Sequence, residues 1–154
     1  MKITNLKTKE NLEIIGPKLI TPDLFKDERG FFFESWNKAL FEKNINKDTN
    51  FVQDNHSKSK YGVLRGLHYQ LEPYSQGKLV RCIKGEIFDV IVDLRKDSET
   101  FCCWSSVYLG ETNFKMLWIP SGFAHGFLTM SKTAIVNYKV DSYYHKSSDN
   151  GINP

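Results

Sequence analysis

The sequence is poor in cysteine and in long apolar runs, and each shortage excludes a class of protein. Its three cysteines, Cys82, Cys102 and Cys103, form no CxxC pair, and two neighbouring cysteines rarely bridge each other. A disulfide scaffold is therefore excluded, and free thiols in a reducing cytoplasm are expected. No stretch approaches the roughly 20 apolar residues of a membrane helix, and residues 1–10 lack the apolar core of a signal peptide.

The sequence also lacks a strong excess of charge. Its 21 lysines and arginines stand against 18 aspartates and glutamates, which leaves a net charge of +3. The two signs are interleaved along the chain, whereas a nucleic-acid-binding protein usually carries a basic stripe. The sequence therefore predicts neither a nucleic acid nor a membrane as partner, and it leaves open a local site for an anion.

Residues that favour β-strands are frequent in the sequence. Without a repeat or a low-complexity linker, residues 1–154 are expected to form one domain, long enough to bury a core. Frequent aromatic and β-branched residues, with turn signals at short intervals, predict an all-β sandwich or barrel. Residues 37–44 are the main helical candidate, with Leu40 and Phe41 as apolar contacts. The predicted strands are residues 31–34, 51–56, 61–69, 78–83, 87–94, 103–109, 115–119, 126–130 and 134–142.

Alternation of side chains is clearest in residues 87–94. Apolar residues at the even positions share one face, and Asp89 and Asp93 flank Ile91 on the other. So many strands with so little helix indicate a closed barrel or jelly roll, because open edges would promote aggregation. A barrel of this size can hold one small ligand in its mouth.

An arginine and a histidine interrupt the apolar strand VLRGLHYQ at residues 63–70. Arg65 and His68 are three positions apart, so on an ideal strand they would face opposite sides. Both can reach one site only if the strand bends, and Gly66 between them tolerates a bulge or a bend. Taken alone, the position of His68 is typical of a structural histidine, and the position of Arg65 is typical of a residue in a surface ion pair.

A second histidine follows a firm turn in LWIPSGFAHGF at residues 117–127. Proline, glycine and then His125 resemble the second motif of the cupins. Metal-binding cupins usually carry paired histidines and a glutamate in their first motif, and here that region offers only His68. Two histidines fall short of the usual three protein ligands of a catalytic metal site, so no metal is expected.

Two further segments have only local interpretations when taken alone. Tyr138 shares a strand face with Val136, which is the usual pattern of packing. The sequence of residues 27–34 predicts a charged turn followed by a strand of aromatic residues.

Taken together and in order, these segments resemble the dTDP-4-dehydrorhamnose 3,5-epimerase family over nearly the whole chain. A run of blocks in fixed order is far more specific than any single motif. The matching blocks are DERGFFFES at 27–35, FVQDNHSKS at 51–59, VLRGLHYQ at 63–70, QGKLVRC at 76–82, FDVIVDLRKDS at 88–98 and LWIPSGFAHGF at 117–127.

The resemblance implies a cupin-like jelly roll with short peripheral helices, usually a homodimer, that needs no metal or organic cofactor. It implies epimerisation at the carbons flanking the 4-keto group of a nucleotide-linked 6-deoxysugar, most simply a dTDP sugar, in the synthesis of surface polysaccharides. By position, His68 matches the base, Tyr138 the acid on the opposite face, and Lys78 the cation near the keto oxygen. The positions that match substrate-binding residues are Arg29, Glu34, Gln53, Asn55, Arg65, Lys78 and His125, with Asp149 a weaker match.

The residue types suit this chemistry. A proton beside a carbonyl becomes removable when the resulting enolate is stabilised where its charge develops, and Lys78 supplies a cation for that oxygen. Histidine titrates near neutral pH and can accept the proton, whereas a tyrosine with an ordinary pKa of about 10 stays protonated and can donate one.

The chain departs from the family pattern at its C-terminal end. The family continues to a late aspartate that orients the base histidine, and residues 150–154 offer no matching position. Asp89 is the substitute that we expect, because a buried carboxylate can fix the tautomer of a histidine. Epimerisation at C3 alone, or a weakened enzyme, is also open.

Two alternative functions stay open from the sequence. One is a ketoisomerase on the same substrates, which would not require a tyrosine opposite the base. The other is a sugar-nucleotide-binding cupin without catalysis. The nucleotide carrier, whether thymidine, cytidine or guanosine diphosphate, is not determined by any residue pattern.

Overall fold

Antiparallel pairing organises the whole chain. In the computed structural model, which describes residues 1–153, every paired strand is antiparallel to its neighbour. One α-helix, α1, spans Lys38–Asn44, and a 3-10 turn spans Lys146–Ser148. The strands are β1 (Lys2–Lys7), β2 (Glu13–Thr21), β3 (Phe25–Asp27), β4 (Gly30–Phe32), β5 (Gln53–Lys60), β6 (Leu64–Gln70), β7 (Lys78–Lys84), β8 (Glu86–Asp93), β9 (Trp104–Gly110), β10 (Met116–Ile119), β11 (Phe123–Thr129), β12 (Thr133–Val140) and β13 (Asp149–Gly151).

Two large sheets form a sandwich. One sheet has the order β1-β2-β10-β7-β12-β5 and the other has the order β13-β6-β11-β8-β9, while β3 and β4 form a separate hairpin. The non-consecutive neighbours mean that the chain crosses repeatedly between the sheets, as it does in a jelly roll. The predicted all-β class is confirmed. No helix within residues 1–153 is both long enough and apolar enough to cross a membrane.

The main core lies between the inner faces of the two sheets. It contains Val80 and Val136 from the first sheet and Ile87, Ile91 and Phe127 from the second, all of them buried. The predicted alternation of 87–94 is present in β8, and the fully buried face is the one that carries the two aspartates. Burial of a carboxylate is costly unless it is paired, so each aspartate requires a partner.

A second apolar cluster covers the outer face of the six-stranded sheet. Asn37 caps α1 by accepting a hydrogen bond from the Leu40 amide at 3.1 Å, and Phe41 then packs edge-on against Trp118 and Phe51. The predicted helix and its Phe41 contact are confirmed. Leu40, the other predicted contact, is 38% exposed, because it lies on the solvent side of this short helix.

Four strands were not predicted from the sequence. The first, β1, has few apolar residues, and β2 contains Gly16 and Pro17, which lower its strand propensity. The hairpin strand β3 and the strand β13 have three residues each, and a sequence pattern does not reveal such short segments. All three cysteines are free, with Cys82 buried and Cys102 exposed.

Asp93, at the end of β8, organises the loop that follows. Its carboxylate accepts hydrogen bonds from Arg95 at 2.7 and 2.8 Å, and from Ser98 and Thr100 at 2.6 Å each. Burial by itself would raise the pKa of Asp93, but these donors outweigh burial and hold the pKa well below its usual range.

We expect Asp93→Asn to lower the free energy of unfolding at pH 7 by about 3 kcal/mol, because it leaves Arg95 without its buried partner. The folded-state pKa lies below the unfolded-state value, so the carboxylate stabilises the fold above a pH of about 4, and this contribution is lost as the pH falls further. Urea titrations at pH 7 and pH 3 measure both effects. The exposed Asp97 in the same loop gives the control Asp97→Asn, and equal losses in the two variants would contradict the prediction.

Candidate functional site

A cavity of about 460 Å³ opens between the two sheets. Side chains from both sheets line it, so its polar groups face one another across the sandwich. Its lining comes from Ser57 of β5, Leu64, Arg65, Gly66 and His68 of β6, Lys78 of β7, His125, Gly126 and Phe127 of β11, and Tyr138 of β12.

Gly66 lets both polar residues of β6 reach this cavity. It has a φ of 104°, and the pairing of β6 with β11 shifts register beside it. A side chain here is excluded, since a Cβ on Gly66 would lie 2.5 Å from the His125 carbonyl oxygen. The predicted irregularity is present, and Arg65 and His68 line the same cavity as a result.

His68 lies opposite His125 in the β6–β11 register, and a carboxylate stands behind it. Oδ1 of Asp149, on the neighbouring strand β13, is 3.9 Å from His68 Nδ1. The sequence did not indicate Asp149 as a neighbour of His68. The two residues lie close together because β13, a short strand without an apolar pattern, folds back along β6.

Asp89 has a different partner from the one predicted. Its buried carboxylate oxygens lie 2.9 and 3.0 Å from His125 Nε2, so Asp89 pairs with His125 and is not the substitute partner of His68. The physical reason is register, because Asp89 and His125 both point inward from the adjacent strands β8 and β11. Burial raises the pKa of Asp89, against the opposing charge and hydrogen bond of His125 and the charge of Lys78.

Lys78 begins β7 and faces the cavity from the six-stranded sheet. Burial lowers the pKa of its ammonium group, while the carboxylates of Asp149, Asp89 and Asp141 act in the opposite direction. A cation with little solvent around it interacts strongly with any negative charge that develops in the cavity.

Tyr138 faces the cavity from β12, beside the predicted binding residues of β5. Asn55 is its register partner, and the Gln53 amide donates to the Asn55 side-chain oxygen at 2.8 Å. Burial raises the pKa of Tyr138, Arg65 lowers it, and Asp149 raises it, with a net rise. The phenol is therefore protonated at neutral pH and can donate a proton.

Arg65 is held in place by the same strand β5. Its Nε donates to the Ser59 hydroxyl at 2.8 Å and one NH2 group donates to the Lys58 carbonyl oxygen at 3.4 Å, so the remaining N–H groups can face an anion.

Two predicted residues lie away from this cavity. Arg29, in the turn between β3 and β4, is 85% exposed and pairs with Asp27 at 2.6 Å. Glu34 accepts a hydrogen bond from Asn37 at 3.1 Å and borders a separate apolar pocket beside α1. The other predicted site residues converge on the cavity or on its immediate neighbours.

Ser57 lines the cavity and was missed in the sequence. Its hydroxyl is buried and has no hydrogen-bond partner, so it is available to a ligand. The signal was present, because Ser57 continues the alternation of Gln53 and Asn55 on the inward face of β5. Within residues 1–153, no three histidine, cysteine, aspartate or glutamate side chains are grouped as metal ligands would be.

The cavity thus combines a histidine, a protonated phenol and two cations, with His68 and the phenol on opposing sheets. This combination can remove a proton from carbon, hold the resulting negative charge and return a proton from the other side.

We expect Asp89→Ala to lower the free energy of unfolding by about 3 kcal/mol, because it removes the buried partner of His125. The matched control is Asp54→Ala, which breaks an exposed pair with Lys139 at 2.8 Å and is expected to cost less than about 1 kcal/mol. Chemical denaturation measures both, and similar losses in the two variants would rule out a special role for the buried pair.

Comparisons with known proteins agree with this geometry. The sequence pattern described as dTDP-4-dehydrorhamnose 3,5-epimerase matches residues 11–154. A dTDP-4-dehydrorhamnose 3,5-epimerase from Shigella flexneri is 56% identical over 140 residues, which cover 91% of this chain and 77% of the relative.

Solved structures share the fold as well. The dTDP-6-deoxy-D-glucose-3,5-epimerase of Legionella pneumophila, in complex with dTDP-4-keto-L-rhamnose, has a TM-score of 0.89 and 45% identity, over 99% of this chain and 78% of that one. ChmJ, a 3'-monoepimerase from Streptomyces bikiniensis in complex with dTDP-quinovose, has a TM-score of 0.85 and 29% identity, over 90% and 70% of the two chains. The cupin-like jelly roll is confirmed, and the chain belongs to the dTDP-4-dehydrorhamnose 3,5-epimerase family.

Proposed function

We propose that this chain epimerises C3, C5 or both in a dTDP-linked 4-keto-6-deoxyhexose, as a step of deoxysugar synthesis. The observation that carries the proposal is the separation of the two proton-transfer residues. His68 belongs to the five-stranded sheet and Tyr138 to the six-stranded sheet, so a sugar ring between them has one residue on each face. Inversion at carbon requires this arrangement, since the proton leaves from one face and returns on the other.

The reaction begins at His68. Its imidazole takes the proton from the carbon beside the 4-keto group, and the C–H electron pair becomes the double bond of an enolate. Lys78 stabilises the oxygen on which the negative charge develops. Tyr138 then donates its phenolic proton to the carbon from the opposite face, and solvent returns a proton to the tyrosine as the imidazolium loses one.

The substrate class follows from the family and from the charges around the cavity. The Legionella and Streptomyces proteins were crystallised with dTDP sugars, which supports the same carrier here. We assign Arg65 and Lys78 to the negative charge of the substrate, and His125 to the region of the sugar and its keto group. The remaining proposed nucleotide-sugar contacts are Gln53, Asn55 and Asp149 beside the cavity, and Arg29 and Glu34, which in the described chain lie away from it.

The alternatives from the sequence fit less well. A ketoisomerase needs a base but no proton donor on the opposite wall, so it leaves Tyr138 unexplained. A binding protein without catalysis accounts for Lys78, which can bind an anion, but it leaves the phenol that lies on the sheet opposite the histidine without a use. Both alternatives are separable from epimerisation by the product formed.

The test is proton exchange in deuterated water with dTDP-4-keto-6-deoxyglucose, followed by NMR. We expect deuterium at C3, C5 or both together with an inverted sugar. Label at C3 alone would define a single-site enzyme. The absence of both exchange and a new sugar configuration would contradict the proposal. A 3-keto product would identify a ketoisomerase.

His68→Ala is expected to abolish exchange, and Tyr138→Phe is expected to reduce inversion by about 10²-fold or more while exchange persists. The matched controls are His56→Ala and Tyr61→Phe, which change exposed residues outside the cavity lining and should leave turnover unchanged. Equal loss of exchange and inversion in Tyr138→Phe would count against its role as the acid.

We further propose that the protein is a cytoplasmic homodimer. Free thiols suit a reducing compartment. The outer face of the five-stranded sheet supports the dimer, because Phe88, Val90 and Val92 are only half-buried there, and Trp104 and Tyr108 are 47% and 50% exposed. Contiguous exposed apolar surface of this kind usually marks a protein interface.

We expect the double variant Trp104→Glu and Tyr108→Glu to sediment as a monomer in analytical ultracentrifugation, whereas the unaltered protein sediments at twice the chain mass. Both side chains are exposed in the single chain, so the variant is expected to fold. Tyr61→Glu, which places a charge at an exposed aromatic position in the β5–β6 turn, is the control and should stay dimeric. A dimeric double variant would exclude this face.

A further inference from the structure

We propose that Asp141 is a positioning residue that holds Lys78, the first residue of β7, in place relative to Tyr138 on β12. Its carboxylate binds the backbone one residue before Lys78 and so fixes the point from which the cation enters the cavity. This inference rests on the proposed function for the roles of Lys78 and Tyr138. It adds to them a residue that lies outside the cavity lining.

Lys78 lies in the last row of its sheet. Its register partners are Ile119 of β10 and Val140 of β12, and each of them is the final residue of its strand. The loop that leads into β7 is exposed, with Leu71 and Tyr74 exposed by 50% and 40%. Because the ends of strands open more readily than their centres, the backbone of Lys78 requires an anchor beyond the sheet if its side chain is to keep one position.

Asp141 supplies that anchor through Gly77. The Gly77 amide donates to Asp141 Oδ1 at 2.6 Å, and the Asp141 amide donates to the Gly77 carbonyl oxygen at 3.3 Å. Beside them, the Gln76 side-chain amide donates to the Ser142 carbonyl oxygen at 2.6 Å. The pairing of β7 with β12 is thus extended beyond Lys78 by three hydrogen bonds, and the shortest bond to the backbone of residue 77 is made by a carboxylate, which is a strong acceptor.

The carboxylate is itself confined. A Cβ on Gly77 would lie 2.5 Å from Asp141 Oδ2 and 2.6 Å from Cη2 of Trp118, whose side chain is fully buried. The carboxylate therefore occupies the space that a side chain at position 77 would fill, between the backbone and a fixed ring. Since protein interiors are closely packed, a group in this position has little freedom to rotate, and it holds the Gly77 amide in one place.

The same contact relates the cation to the phenol. Lys78 lies opposite Val140, and Val80 lies opposite Tyr138. Lys78 and Tyr138 are therefore diagonal neighbours that line one cavity from adjacent strands. Asp141 directly follows Val140, so a shift at this end of β7 moves the cation relative to the phenol. In the proposed reaction both groups act on one sugar ring, and their spacing has to match it.

The charge of Asp141 is a smaller contribution than its hydrogen bond. Burial raises the pKa of Asp141, against the amides of Gly77 and Asp141 and the charge of Lys78, with a net rise. Burial lowers the pKa of Lys78, and the carboxylates of Asp149 and Asp89 oppose that change more strongly than Asp141 does. Two carboxylates therefore still act on the ammonium group when the charge of Asp141 is removed. A variant that keeps the acceptor and loses the charge should then keep Lys78 in place.

The first experiment measures the contact without substrate, by amide hydrogen exchange and NMR. We expect the Gly77 amide to be protected in the unaltered protein and to exchange about 100-fold faster or more in Asp141→Ala, which removes its acceptor. Asp141→Asn keeps an acceptor oxygen and is expected to keep most of the protection. Asp97→Ala, at an exposed position in another loop, is the control and should change nothing. A Gly77 amide that is unprotected in the unaltered protein would overturn the proposal whether or not a variant folds.

The second experiment measures turnover of dTDP-4-keto-6-deoxyglucose. We expect Asp141→Ala to lower kcat by about 10-fold or more and to change KM by less than about 3-fold, because a displaced cation no longer meets the charge that develops during the reaction. Asp141→Asn is expected to keep kcat within about 3-fold of the unaltered protein, since the acceptor is retained. A loss in Asp141→Asn as large as that in Asp141→Ala, or a rise in KM with kcat unchanged, would overturn the positioning role.

The two experiments separate this inference from the function on which it rests. If the Gly77 amide responds to Asp141→Ala while the unaltered protein exchanges no substrate proton, the contact stands and the proposed reaction fails. If the unaltered protein turns over but Asp141→Ala changes neither the exchange of the Gly77 amide nor kcat, the reaction stands and the positioning role is wrong.

Discussion

The close approach of two backbones at Gly66 and Gly126 is the constraint on which the cavity depends. A Cβ on Gly66 would lie 2.5 Å from the His125 carbonyl oxygen, and one on Gly126 would lie 2.6 Å from the Arg65 carbonyl oxygen. Neither strand can carry a side chain at this crossing without moving the other. The bend that the contact permits turns Arg65 and His68 into one cavity and sets His125 opposite His68.

Three carboxylates around that framework each lie beside a basic side chain. Asp89 holds His125 from within the core, Asp93 holds the loop after β8, and Asp149 stands beside His68. Lys78 lies among these groups, and burial lowers its pKa while the carboxylates oppose that change. The charges of Asp89 and Asp149 therefore oppose the loss of the Lys78 proton that burial favours.

Most of the fold and much of the site were predictable from the sequence. Aromatic and β-branched residues between turn signals indicated most of the strands, and period-two alternation was clear in β8. The glycine between Arg65 and His68 indicated that both could face one cavity. The partner of each histidine was not predictable, because it depends on strand order. Asp89 meets His125 only because β8 and β11 are adjacent, and Asp149 reaches His68 only because three residues without an apolar pattern pair with β6. The positions of Arg29 and Glu34, away from the cavity, likewise depend on how a hairpin folds over the surface.

In the proposed reaction, the location of His68 and Tyr138 on different sheets links the stereochemistry to the thickness of the core. The distance between the two residues is not set by any contact between them, but by the packing of Val80, Val136, Ile87 and Ile91 between the sheets. A change of one methylene group in this layer alters the spacing of the sheets, since protein interiors are packed too tightly to absorb it. In the proposed reaction, residues that never touch a substrate therefore determine whether a carbanion formed beside the five-stranded sheet is reached by the proton donor on the six-stranded sheet, and so how faithfully a carbon centre is inverted.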